Sequence, residues 1–375
     1  MNRVLIFLLL LASCVEPFDF NRNNLDPQLV IEAYVSDISY NESLAAPSNG
    51  RYFEVKLKWT RPVSKIVDDR ITPFADVKLI DDQNTEWTYH ENINKWGTYI
   101  LFDQDFKACD DRMYKLQVTT QDDFIYESAW EKLPSLTSSP VEDIWFEEDD
   151  IKTYYYPAGE EKIRDKKIIN VSTTIPTNPD GQVRYYKWEY YPMWVYEAPL
   201  AVGAFSPFRK CWITNSLYLN EYALQEDVVG GTEQVLFSID IEKNDRLYTN
   251  FSVLVYQQST SKDYFYFSQL MQEQNKPNGI FDTPPANLPT NFTCINDPSK
   301  KPVGYFGVVS ETTRRWYFNK DELSYFVENP LRENCLAKFN RPQDPPDPAE
   351  ECLSCLSYEK RETATLTEPS WWIGN

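Results

Sequence analysis

Short runs in which apolar and polar residues alternate recur along the first third of the chain, and this period of two restricts the fold more than any other feature. Tyr52 to Trp59 sets Phe53, Val55, Leu57 and Trp59 against Glu54, Lys56 and Lys58, a pattern that gives one apolar face only if the backbone is extended. Comparable runs lie at Leu29 to Val35, Asp76 to Ile80, Glu86 to His90, Gly97 to Phe102, Met113 to Thr119 and Phe124 to Glu127, separated by turns such as Asp81-Asp82-Gln83-Asn84. Seven short strands in about 100 residues predict a β-sandwich.

Leu133 to Pro140 is rich in Ser, Thr and Pro and reads as a connector. It divides the chain into a sandwich domain over 28–133 and a second domain over 141–375. The second part carries strand-like runs at Lys167 to Ile175, Val183 to Tyr191, Gln234 to Ile241, Asn250 to Tyr256, Val303 to Ser310 and Arg314 to Phe318. Ser259, Thr260 and Ser261 offer N-caps for a helix whose apolar positions are Tyr264, Phe265, Phe267, Leu270 and Met271, with Asn278-Gly279 as its stop. A shorter helix is expected from Asp321 to Glu328, before Pro330. The predicted class is mainly β: an N-terminal immunoglobulin-like or prealbumin-like β-sandwich, then a β-rich C-terminal domain with one or two helices and an irregular, disulfide-stapled tail.

The first residues address the compartment. Asn2 and Arg3 precede the apolar run Val4 to Ala12, and Leu11-Ala12-Ser13-Cys14 then reads as a lipobox. Residues 1–13 are thus expected to be a lipoprotein signal peptide, Cys14 the lipid-attachment site and 14–27 a tether. The apolar run is too short to cross a bilayer, which takes about twenty residues, and no later stretch reaches eighteen. An outer-membrane barrel would call for Gly-rich alternating strands and a terminal aromatic, whereas this chain ends Ile373-Gly374-Asn375. Lipid attachment through several acyl chains anchors stably, and the expected location is the outer membrane, facing the cell surface.

Composition removes several classes of function. With 57 Asp and Glu against 37 Lys and Arg the formal net charge is −20 and the pI about 4.6, which speaks against nucleic acid as a partner. Eleven glycines and a single histidine, His90, disfavour Gly-rich nucleotide folds and multi-histidine metal enzymes, and no Gly-x-Ser-x-Gly, phosphate-loop or His-Glu-x-x-His motif occurs. No cofactor, metal or catalytic residue is assigned. The acidic groups at Asp103, Asp105, Asp110-Asp111, Asp122-Asp123 and Glu147 to Asp150 are expected to be solvated loops, with calcium as the alternative. Cys109, Cys211, Cys294, Cys335, Cys352 and Cys355 form an even set, the mark of a disulfide framework in an exported protein, with its pairing open. Cys352-Leu353-Ser354-Cys355 follows a proline-rich segment, which fits neither a thioredoxin-like redox pair nor, without a second pair or nearby histidine, zinc. Aromatics crowd Tyr185 to Tyr196, just after Tyr154-Tyr155-Tyr156, and Trp188, Tyr190, Trp194 and Tyr196 are candidates for stacking on a glycan or peptide ligand.

Tyr186-Lys187-Trp188, the helix from Ser261, Asn278 to Pro285 with Asn287 and Asn291, Gly304-Tyr305-Phe306-Gly307 and Arg315 occur in an order that resembles a Bacteroidota lipoprotein family, domain of unknown function 4249. Cys352-x-x-Cys355 with Pro369 and Trp371-Trp372 resembles that family's ending, from which Leu356-Ser357-Tyr358-Glu359 departs, since members often carry Gly there. The resemblance carries no catalytic residues. It implies a lipoprotein encoded beside TonB-dependent outer-membrane receptors, and Glu16 and Asp19 after the lipid site suit surface export in that lineage. The expected function is a non-enzymatic accessory or binding component of a TonB-dependent uptake system. The alternatives are a surface hydrolase acting on glycans through two carboxylates and an outer-membrane assembly or structural lipoprotein.

Overall fold

The computed structural model describes residues 27–60, 71–135, 140–201, 203, 206–215, 217–275, 288–339, 348–358 and 363–373; the signal, Cys14 and nearly all of the tether lie outside them. The alternating runs become β1 (Leu29–Ser36), β2 (Phe53–Trp59), β3 (Asp76–Asp81), β4 (Glu86–Glu91), β5 (Thr98–Leu101), β6 (Met113–Thr119) and β7 (Ile125–Ser128), followed by the short β8 (Glu131–Lys132). In β2 the pleat buries Phe53, Val55 and Leu57 and leaves Glu54 and Lys58 in solvent. A one-turn helix, α1 (Tyr40–Ser43), is closed by a capping box in which Ser39 and Glu42 each accept the other's backbone N–H. The strand order β7-β6-β3-β4-β5-β2-β1 folds over on itself. Val77, Leu79, Leu116 and Val118 thereby share one core with Ile31, Val55 and Leu57.

Beyond the connector come β9 (Ile144–Tyr155), β10 (Lys162–Thr174), β11 (Arg184–Glu197), β12 (Lys210–Thr214), β13 (Ala223–Asp227), β14 (Glu233–Asp240), β15 (Phe251–Ser259), β16 (Phe292–Cys294), β17 (Val303–Phe318) and β18 (Thr363–Thr365). A small sheet, β14-β10-β9, packs over the order β17-β15-β11-β12-β18, and Ile169, Val171, Trp188, Val253 and Trp316 lie in the core between them. The acidic run Glu147 to Asp150, expected as loop, is part of β9. Its edge position leaves those carboxylates hydrated, so the strand tolerates them.

The chain also returns to its first sandwich. β16 pairs antiparallel with β7, and the first half of β17 pairs in parallel with β1, from Val30 opposite Val303 to Ser36 opposite Val309. The second half of β17 pairs with β15. Where alternation predicts two strands there is one, because Glu311, Thr312 and Thr313 lie opposite Gln258, Gln257 and Tyr256 in the ladder. Polar residues at the crossing look like a loop in sequence and are strand in the fold.

Helix α2 (Lys262–Asn275) starts as expected, with the Tyr264 N–H donating to Ser261 Oγ; its expected stop, Asn278-Gly279, lies outside the described residues. The helix expected over Asp321 to Glu328 does not form. Only a 3-10 turn at Lys320–Glu322 occurs there, and the helix of this region, α3 (Pro330–Phe339), begins at the proline instead of ending before it. Proline is well placed at a first helical position, where its missing N–H has no partner to lose, and Asn329 caps the turn by accepting from the Arg332 N–H. A last short helix, α4 (Glu350–Leu353), lies in the tail.

Of the six candidate cysteines four are paired, Cys211 with Cys355 and Cys335 with Cys352. Cys109 and Cys294 correct the expectation of a full framework: Cys109 is exposed in the loop before β6, and Cys294 is buried in β16 against β7. A leaderless chain carrying Cys14→Ala is therefore expected to take up one equivalent of a thiol reagent when folded, at Cys109, and a second only on unfolding without reductant. Intact-mass analysis reads this directly, and no uptake by the folded chain would show Cys109 to be bonded.

Candidate functional site

Strand β11 decides which of its aromatics can meet a ligand. Its even positions face the second core, so Trp188, Tyr190, Trp194 and Tyr196 are 0, 8, 1 and 5 % exposed. Three of their polar atoms are satisfied internally: Trp188 Nε1 donates to Gln257 Oε1 at 3.0 Å, Tyr190 Oη to the Leu236 carbonyl at 2.7 Å and Tyr196 Oη to the Glu351 carbonyl at 2.7 Å. The expectation that these four present a ligand surface is corrected: they are core, with Tyr190 packed on Phe237 of β14, Trp194 on Tyr218 and Tyr358, and Tyr196 on Tyr358 of the tail. His90 is an exposed β4 residue stacked on Phe102, with ring centroids 6.0 Å apart.

The odd positions of β11, Lys187, Glu189 and Tyr191, turn to the opposite face, where the two sandwiches meet along β17. There Tyr34 of β1 donates to Glu189 Oε2 at 3.3 Å, and Lys187 Nζ lies 2.8 Å from Glu189 Oε1. Arg51, from the segment entering β2, reaches across with its Nη2 2.5 Å from Glu311 Oε1. Its guanidinium carbon stands 4.0 Å from the ring centre of Tyr256 and 5.3 Å from that of Tyr34. Gln258 donates to the other oxygen of Glu311 at 3.1 Å. Tyr191 packs edge-on to Tyr256 at 5.0 Å and remains 46 % exposed, so the cluster is open to solvent on its Tyr191 side.

Burial sets the electrostatics. Removal from water pushes the Glu311 carboxyl above its ordinary range despite Arg51 and Gln258. Burial acts on Glu189 in the same direction, but the Lys187 ammonium outweighs it and holds that carboxyl low. Burial works against the charge on Lys187 and on Arg51, and their carboxylate partners more than restore it. Each of the two carboxylates thus has its own cation. Two buried atoms flanking Glu311, Arg51 Nη1 and Gln258 Oε1, have no hydrogen-bond partner among the described residues.

Sequence pieces more than a hundred residues apart build the surroundings of this waist. At Gly304, with φ +111°, a Cβ would lie 2.0 Å from the Ile31 carbonyl oxygen, so the parallel pairing of β1 with β17 requires glycine there. At Gly307 a Cβ would meet the Tyr264 ring at 2.9 Å, and it is this space that lets α2 lie on the sheet. Asn291 bridges to β17 like a strand residue, accepting from the Phe306 N–H and donating to its carbonyl. Arg315 donates to the Pro47 carbonyl, and its guanidinium carbon lies 3.7 Å from the ring centre of Trp371; burial lowers its pKa to about 10. The motif pieces Lys187, Asn291, Gly304, Gly307, Arg315 and Trp371 are therefore spread along β17 and its neighbours, from the β1 pairing at Gly304 to Trp371 on Arg315. Sequence reasoning missed Arg51, Glu189, Tyr191, Tyr256 and Glu311, which carry no motif of their own. The available signal was the charged residues alternating with aromatics along 185–191.

No group of three or more His, Cys, Asp or Glu among the described residues is arranged to hold a metal ion, and no described helix is long and apolar enough to cross a membrane. Among curated proteins none matches the chain. The family model described as "Domain of unknown function (DUF4249)" matches residues 15–315, a span that takes in the first sandwich, the waist cluster, the β17 crossing and the second sandwich up to Arg315 in β17, with β18 outside it. The chain belongs to the DUF4249 family.

Proposed function

We propose that this chain is a lipid-anchored outer-membrane protein, displayed at the cell surface by Cys14, that serves as a non-enzymatic binding or accessory component of a TonB-dependent uptake system. The observation that carries the reading is the pairing at the waist, where Lys187 neutralises Glu189 and Arg51 lies against Glu311. Carboxylates already engaged by cations are poorly suited to shuttle protons, whereas tyrosine rings with a half-open face suit recognition of a glycan or peptide. The leader and lipobox at Leu11 to Cys14 support the address, and the family's association with outer-membrane receptors supports the partner.

Affinity purification of the tagged protein from detergent-solubilised outer membranes is expected to recover a TonB-dependent receptor, identified by mass spectrometry, and to lose it with Cys14→Ala. Recovery of the lipoprotein by itself, in repeated preparations, would remove this reading and direct attention to glycan degradation.

A further inference from the structure

The end of the first sandwich where β1 begins also carries exposed apolar side chains. There the Thr60 N–H donates to the Gln28 carbonyl, and Leu29 lies opposite Trp59 at the close of β2. On the far side of β2 stands the β4–β5 turn, whose Gly97 carbonyl accepts from the Leu57 N–H. Ile93 and Trp96 of this turn are 82 and 49 % exposed, and Phe74, just before β3, is 62 % exposed. Trp96 and Phe74 meet edge-on, their ring centres 5.4 Å apart. Glu91 ties the two segments together: one carboxylate oxygen accepts from the Phe74 N–H at 3.0 Å, the other from the Gly97 N–H at 3.2 Å. Phe74 has φ +57°, a left-handed backbone that bulky residues rarely adopt. Burial gives no reason for it, because the ring is largely in water.

We infer that this rim is a membrane seat: Phe74, Ile93 and Trp96 enter the headgroup layer of the bilayer that holds the lipid on Cys14. This rests on the reading that Cys14 is acylated, and it names the surface on which the anchored protein sits. The path of the chain selects the bilayer as occupant. Cys14 lies fourteen residues before Gln28, and a fully extended chain of that length spans at most about 50 Å. The start of β1, and the rim beside it, is therefore the part of the fold whose distance from the bilayer the anchor limits most tightly. Such tethering raises the local concentration of the surface, so a few side chains suffice for contact. The make-up of the rim agrees: Asn92, Asn94 and Lys95 are interleaved with Ile93 and Trp96, and aromatic side chains among polar groups suit the layer where hydrocarbon meets water. Charge sets the depth. The nearby β6–β7 turn presents Asp122 and Asp123, and against them stand Lys95 and Lys300, whose ammonium lies 5.2 Å from the Phe124 ring centre. Both signs stay in the hydrated layer, so the seat is shallow and apolar and does not depend on anionic lipid.

The test places a photo-crosslinking residue at Ile93 of the full-length protein in native membranes, and at Leu44, exposed beyond the opposite end of β1, in a control. Intact mass of each chain reports acylation of Cys14, and mass spectrometry identifies the adducts. The expected result is an acylated chain with roughly tenfold more lipid adduct from Ile93 than from Leu44. In vesicles of phosphatidylcholine the purified protein should give the same Ile93 adduct at low and high salt, since no charge attraction is involved. Phe74→Ser with Trp96→Ser should lower it several-fold, with thermal unfolding unchanged. An acylated chain whose Ile93 adducts are to protein only, to a second copy only, or no richer in lipid than those of Leu44 overturns this inference and leaves the anchor standing. A mature chain without acyl groups on Cys14 removes the anchored reading and this inference with it.

Discussion

Arg51→Met is expected to destabilise the protein by about 3–5 kcal/mol, because it leaves a buried carboxylate without its cation. Glu311 is the group left behind: its side chain is 1 % exposed and that of Arg51 16 %. The guanidinium also packs on Tyr256 and Tyr34, so more than one pairing disappears at once. The double variant Arg51→Met with Glu311→Leu removes both charges and is expected to regain most of the loss, since an apolar pair can replace a buried ion pair at little net cost. Urea unfolding of the leaderless chain measures both. A single-variant loss below about 1 kcal/mol, the scale of an exposed ion pair, would show that water reaches Glu311 from the open Tyr191 side of the waist. Because Arg51 enters β2 of the first sandwich and Glu311 sits where β17 crosses into the second, the variant should weaken both sandwiches in one transition rather than melt one alone.

The second large effect belongs to the tail. Cys211 in β12 and Cys355 close a loop with a sequence separation of 144, and Cys335 with Cys352 one of 17. By chain entropy the longer crosslink contributes about 5 kcal/mol and the shorter about 3 kcal/mol. Cys211→Ser with Cys355→Ser is therefore expected to lower stability more than Cys335→Ser with Cys352→Ser. The long bridge has a further consequence: Cys355 lies in the second core beside Tyr358, which packs on Tyr196 at 4.3 Å. Losing it should release β18 from β12, and with it Trp371, whose indole donates to Asn49 at 2.7 Å and stacks under Arg315. Hydrogen exchange over residues 363–373 would report that release. Equal stability of the two double variants would show that the unfolded chain is already compact enough to make loop length irrelevant.

Much of the first sandwich was legible because its strands are each half-buried, so β1, β2 and β6 print their burial onto the sequence as alternation. β11 was legible as a strand and misleading as a site. Aromatics on both faces of one strand give no sign of which face is covered, and what covers the even positions, β14 over Tyr190 and Tyr358 of the tail over Trp194 and Tyr196, comes from other parts of the chain. The same limit applies to β17. Its polar centre reads as a break when only neighbours in sequence are considered, and it becomes continuous once Gln257 and Gln258 lie opposite it in the ladder. Pro330 shows the complementary ambiguity, since proline both ends helices and begins them.

By itself the sequence determined the β class, the short strands of the first sandwich, the helix after Ser261 and the family motifs, all of which depend on residues close together in the chain. The tertiary structure alone decided which cysteines pair, which face of β11 is buried, that one strand joins both sandwiches, and that Arg51, Tyr34, Glu189, Tyr256 and Glu311 meet. Those outcomes depend on contacts between residues far apart in the chain, as Arg51 and Glu311 are, and on which surfaces are removed from water when the sheets close over one another.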